Sequence, residues 1–217
     1  MVTIARAVEL VLDSKPFIME ALQDQIINYS SLASFIKPDI EHRLKKQVKE
    51  GAIVMALRRI KDFNQVDLSG KLEKEVKQLG DILVRSNLID YTFRNSETLL
   101  NCQQGLFNEI KNNHDLFYTV TRGVYETTFI ISDQVSKKIP YLFEGETLIS
   151  SSRALSSITI KLSMDNTEQP GLYYYIFKKL AWDGINILEV VSTSNEITIL
   201  LRDKDVDKAF TVIKRLK

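Results

Sequence analysis

A chain of 217 residues, 44% hydrophobic and 26% charged, is long enough for one large or two small globular domains. Its formal net charge of +1 excludes a molecule-wide field for nucleic acid or membrane and leaves only a local patch open. One cysteine, Cys102, excludes an intrachain disulfide, Arg6, Glu9 and Asp13 interrupt any apolar leader, and no apolar run approaches the ~20 residues that cross a bilayer, so a cytoplasmic protein with no membrane partner is expected.

Residues 1–63 read as a helical domain. Val2, Ile4, Ala5, Val8, Val11 and Leu12 recur at helical spacing, and Ser14 ahead of Pro16 suits the start of a second helix carrying Phe17, Ile18, Ala21, Leu22 and Ile26. A polar break at Asn28–Ser30 opens a short helix over Ser31–Ile36. Pro38 is expected to start a separate segment with Ile40, Leu44 and Val48 on one face. Gly51 punctuates it, and Ala52–Phe63 forms a last helix with Ile53, Ala56, Leu57 and Ile60 inward. The stretch 64–80 has little period, and Lys71–Gln78 alternates Lys with Glu as a solvated helix does, which makes it the candidate linker.

Strand and helix patterns mix from Asp81 onward. Ile82–Phe93 is a strand with a polar kink at Ser86–Asn87. Ser96 caps a helix over Glu97–Lys111, and Leu116–Thr121 with Tyr125–Ser132 forms a hairpin about Arg122–Gly123. A short helical piece near Asp133–Pro140 and a strand at Thr147–Ser150 follow. The order then recurs: strand Ser157–Leu162, helix Gly171–Trp182, strands Asn186–Val191 and Glu196–Leu201, helix Asp205–Leu216. The chain is therefore divided into 1–63, the linker 64–80, a first repeat 81–155 and a second repeat 156–217. The fold class is α+β, an antiparallel sheet with helices on one face behind the helical domain.

The run Met164-Asp-Asn-Thr-Glu-Gln-Pro-Gly171, then Gly184-Ile-Asn-Ile187, Ser192-Thr-Ser194 and Glu196-Ile-Thr-Ile199, resembles the ACT-domain family and within it the regulatory region of aspartate kinases. The resemblance covers about 156–217, extends as a repeat over 80–155 and stops there. It implies tandem ferredoxin-like ACT repeats that dimerise and take an amino-acid effector. The site it implies holds Asp165, Asn166, Gln169, Pro170, Gly171 and Leu172 on one side and Asn186 and Ile187 on the other. The residues suit that role. Pro170 fits a helix start, Gly171 permits close approach, and helix-start N–H groups favour a carboxylate. The same features are also plain fold chemistry, so a purely structural role stays open. The first repeat has no Pro-Gly between Phe93 and Leu106.

Ile27–Ile36 followed by Gly51–Ile60 is similar to a helix-turn-helix, possible winged-helix, layout. Residues 37–61 carry eight basic against three acidic side chains, and Lys45, Lys46, Arg58, Arg59 and Lys61 are the candidate nucleic-acid contacts. Protein docking or helix packing explains the same face. No catalytic set stands out. His42 and His114 lie in different segments, Cys102 reads as a small buried hydrophobe, and no Gly-x-Ser-x-Gly elbow or phosphate-cradling loop occurs. The expectation is a non-catalytic regulator without cofactor or metal. It would be a homodimer through 81–217, with Ile158, Ile160, Ile197 and Ile199 on strands whose edges need covering. Its partner is DNA or an amino-acid biosynthetic enzyme such as an aspartate kinase.

Overall fold

The computed structural model describes residues 2–23, 26–59, 72, 75–163, 166 and 170–217. The chain forms two compact units, Met1–Asp67 and Leu68–Lys217. No helix among the described residues is long and apolar enough to cross a membrane.

The first unit holds α1 (Ile4–Asp13), α2 (Pro16–Gln23), α3 (Tyr29–Leu44) and α4 (Glu50–Arg59). Thr3 caps α1 by accepting from the Arg6 N–H, and Asn28 caps α3 by accepting from the N–H groups of Ser30 and Ser31. Ala7, Val8, Val11 and Leu12 of α1 pack with Leu32, Ala33, Ile36 and Ile40 of α3 and Ile53, Ala56 and Leu57 of α4. Pro38 does not start a new segment but lies inside α3. Proline leaves the carbonyl four residues back unbonded, here that of Ser34. Both residues lie on the exposed side, while the stripe Leu32, Ile36, Ile40 runs unbroken on the buried side. Gly51 likewise sits in the first turn of α4 rather than between helices.

The second unit contains β1 (Ile82–Arg94), α5 (Leu99–Ile110), β2 (Tyr118–Arg122), β3 (Glu126–Ser132), α6 (Asp133–Ser136), α7 (Ile139–Leu142), β4 (Leu148–Lys161), α8 (Leu172–Trp182), β5 (Glu189–Ser192), β6 (Glu196–Arg202) and α9 (Asp203–Lys214). All pairings are antiparallel, in the order β2-β3-β1-β4-β6-β5. Ile158 and Ile160 of β4 with Ile197, Ile199 and Leu201 of β6 face Leu172, Ile176 and Leu180 of α8 and Ala209 and Ile213 of α9. Ile89, Tyr91 and Phe93 of β1 with Phe129 and Ile131 of β3 face Leu99, Leu106 and Ile110 of α5. The opposite sheet face carries a small cluster of Leu88, Ile130, Leu155 and Leu200.

The two halves of this sheet match position for position. β1 lies on β4 so that Asn87 corresponds to Ala154, each with positive φ (57° and 54°), and each sits where the β1–β4 register shifts. Thr92 bonds Thr128 at 2.9 Å, and Thr159 bonds Thr198 at 2.8 Å. Leu88 and Ile130 match Leu155 and Leu200.

Three expectations are corrected here. Thr147–Ser150 and Ser157–Leu162 are one 14-residue strand, β4, because Ala154 absorbs the irregularity that parts them in the sequence. The strands bearing Ile158, Ile160, Ile197 and Ile199 are interior; the free edges are β2 and β5. Lys71–Gln78 is not solvated all round, since Leu72, Val76 and Leu79 are buried in the same core as Ile158 and Leu172. In a helix with one buried stripe, alternating charges mark only the outer faces.

Candidate functional site

The predicted effector loop leaves β4 at Lys161. The Leu162 N–H donates to the Asn195 carbonyl at 2.7 Å. The Asn166 amide donates to the carbonyls of Ser163 (2.6 Å) and Ser194 (2.5 Å), and the residue is buried. One Asn166 amide bond thus closes the loop on its own Ser163 and the other ties it to the β5–β6 turn. Pro170 is exposed in a turn, and Gly171 begins α8 with φ of 93°, a conformation that L side chains rarely adopt. A Cβ on Gly171 would lie 3.2 Å from Leu72 Cδ1. The close approach that Gly171 permits is therefore made by the chain's own Leu72. Leu172 is buried in the core beneath. Asp165 and Gln169 lie outside the described residues.

Asn186 is exposed beyond the C-terminal end of α8, with Ile185 buried and Ile187 partly buried against the core on either side. The strand expected from Asn186 begins only at Glu189. The 11-residue helix α8 puts about 16 Å between the two predicted half-sites. One half of the chain does not bring them together.

The corresponding loop of the first half is built alike, and sequence reading missed it. The Asn95 side chain donates to the carbonyls of Gly123 (2.9 Å) and Val124 (3.1 Å) and accepts from the Thr127 hydroxyl at 2.6 Å. Its backbone N–H donates to Tyr125 O at 2.9 Å, as Leu162 does to Asn195. Here, however, a carboxylate of the chain sits at the helix start. Glu146 accepts from the hydroxyls of Ser96 and Thr98, both at 2.6 Å, while Ser96 Oγ accepts from the Leu99 N–H at 3.0 Å. Ser96 is expected to cap a helix from Glu97; the helix instead begins at Leu99 with Thr98 as its N-cap, and Ser96 bonds the Leu99 N–H from outside it. Burial pushes the Glu146 carboxyl up, but hydrogen bonds from Ser96, Thr98 and Cys102 outweigh it and hold the group below the usual carboxylate range. The Cys102 thiol is pushed up by burial and then by Glu146, the reverse of what a thiolate nucleophile needs.

In the first unit the α3–α4 connection is the five residues 45–49, and α3 spans 16 residues rather than a short helix. Lys45 ends α3 in the left-handed conformation (φ 50°). Lys45, Lys46, Arg58 and Arg59 are exposed and make no ion pair among the described residues, whereas Lys37 lies 3.7 Å from Glu50. Lys61 lies outside the described residues. A cleft of this unit is lined by Val11, Ser14, Asp39, His42 and Arg43, and its Asp39 pairs with Lys15 at 3.4 Å. Among the described residues no group of three or more His, Cys, Asp or Glu side chains is placed to hold a metal ion.

No protein-family model matches the sequence, and no curated protein matches it. Among solved structures the chain is similar to the aspartate kinase of Clostridium acetobutylicum, with a TM-score of 0.52 and 12% identity over 62% of this chain and 34% of that one. It is also similar to the ligand-free regulatory subunit of aspartate kinase from Thermus thermophilus, with a TM-score of 0.51 and 10% identity over 64% of this chain and 97% of that one. The chain spans about a third of the Clostridium enzyme's length and nearly all of the Thermus subunit's. At these identities the likeness shows the fold, an ACT-like α+β arrangement of antiparallel sheet and helices.

Proposed function

We propose that residues 68–217 form a tandem ACT-type regulatory module, non-catalytic and homodimeric, that senses an amino acid at the loop before α8. The observation that carries this reading is the matched pair of strand-to-helix loops, each tied by an asparagine to the next hairpin. One is filled by Glu146. In the other, the Ser163 hydroxyl, at the position of Ser96, donates to Glu75 Oε2 at 3.4 Å. An effector carboxylate would meet the first-turn N–H groups of α8, and its ammonium would meet Asp165, or Glu168 if the loop folds inward. Pro170 and Gly171 shape that helix start. Asn166 holds the loop rather than the ligand. Gln169, with Asn186 and Ile187 from a second half-site, would complete the pocket.

Calorimetry against the twenty amino acids tests this. One of them should bind and raise the thermal midpoint with saturation, and Asp165→Ala should weaken that binding more than it weakens binding of a plain carboxylate. Gly171→Val is a poor probe, because its strained φ and the Leu72 contact would disturb packing with or without a ligand. No shift with any amino acid at millimolar concentration, together with a silent Asp165→Ala, would leave an assembly module only.

A second reading is an accessory subunit that docks on an amino-acid biosynthetic enzyme such as an aspartate kinase. It is favoured by the near-complete coverage of the Thermus regulatory subunit. A pull-down that returns a kinase or dehydrogenase selects it over a stand-alone regulator.

A further inference from the structure

The β2–β3 and β5–β6 turns close alike. Gly123 N–H donates to Glu126 O at 2.8 Å, and Thr193 N–H donates to Glu196 O at 2.9 Å. Their two central residues nevertheless differ in kind. The β5–β6 turn presents Ser194 and Asn195, whereas the β2–β3 turn presents Val124 and Tyr125, which are 85% and 83% exposed. The same end of the sheet exposes Leu148, at the position matched by Asp81 in the other half, and its neighbour Ile149. Leu100, in the first turn of α5, is exposed there too. The turn itself does not require apolar side chains, since its counterpart manages without them. Nor is the tip loose. Asn95 makes four hydrogen bonds around it, so Val124 and Tyr125 are held ready and lose little entropy on contact.

The charges around this patch indicate its occupant. Arg94, Arg122, Glu97, Glu126 and Glu144 are all exposed, and none makes an ion pair among the described residues. Arg94 and Glu126 are even register partners and still do not pair. Mixed signs give no field for nucleic acid or an anionic membrane, but across a two-fold axis they are self-complementary, each arginine facing a glutamate of the other copy. The exposed apolar side chains offer on the order of 500 Å², which with a charged rim approaches the roughly 800 Å² per partner of a standard interface.

We infer that the end of the sheet carrying Val124 and Tyr125 is the surface on which a second copy of this chain docks. This rests on the homodimer of the proposed function and names its contact. The test is sedimentation of the full chain across micromolar concentrations, beside a variant carrying Val124→Ser and Tyr125→Asn. These substitutions copy the chain's own β5–β6 turn and therefore suit the fold. The wild type should be a dimer and the variant at least about tenfold weaker in self-association, with an unchanged circular dichroism spectrum. Arg94→Glu should weaken the dimer, and adding Glu126→Arg should restore it. A wild-type monomer would sink both the homodimer and this surface. A dimer untouched by the turn exchange would sink the surface alone.

Discussion

Glu146 shows how one carboxylate can hold two hydroxyls of a strand-to-helix loop at once. Its two oxygens satisfy the hydroxyls of Ser96 and Thr98 and pin the segment entering β4 to the start of α5. Because its folded-state pKa lies below the unfolded value, its contribution is fully present above the unfolded pKa of about 4.3 and fades as pH falls through the folded value. Glu146→Gln should therefore destabilise at neutral pH, by less than about 1 kcal/mol since the group is partly solvated. The gap to wild type should close under acid. Urea titrations at a series of pH values measure this, and a gap that widens toward low pH would contradict the assignment. Asn95 and Asn166 play equivalent parts, yet neither stands in a shared motif. They lie at different distances from the ends of β1 and β4, so no fixed spacing links them.

Among the elements, α4 divides between a face that packs and an end whose arginines make no ion pair among the described residues. Ile53, Ala56 and Leu57 are buried, while Arg58 and Arg59 project from the last turn. If this end binds DNA, Arg58→Ala with Arg59→Ala should weaken retention, and rising salt should weaken wild-type binding steeply as counterions return to the phosphates. A wild type with no salt-sensitive retention at low ionic strength leaves protein docking as the role of the helix. The unbroken 16-residue α3 bears on this, because a short helix ahead of the connection was part of the likeness to a DNA-reading layout.

At the scale of the whole second unit, the decisive feature is that β1 and β4 are each long enough to serve both halves. β1 pairs with β3 and β4, and β4 pairs with β1 and β6, so each half borrows its neighbour's first strand. Neither half closes its own core edge. A chain cut between Thr147 and Leu148 should give fragments without cooperative unfolding when apart, with recovery on mixing. Circular dichroism during urea titration reads this out. Cooperative unfolding of the 148–217 fragment alone would show that the borrowed strand is dispensable.

Local chemistry was readable in the chain itself. The kink at Asn87 and the recurrence of strand, helix, strand, strand, helix follow from residue type and spacing, because turns and alternation act over a few residues, while the starts of α3 and α5 and the β2–β3 turn fall two residues from where those signals put them. What tertiary structure alone decided lies across long separations. It merged two apparent strands into β4 through Ala154 and carried α3 past Pro38 on a continuous buried stripe. It also drew Leu72 and Val76 of an apparent linker into the core. Across even longer spans it seated Glu146 on a loop some fifty positions earlier and set Leu72 where a ligand was expected beside Gly171. Each of these rests on which surfaces meet, and burial of apolar area is a property of the folded pair rather than of either segment alone.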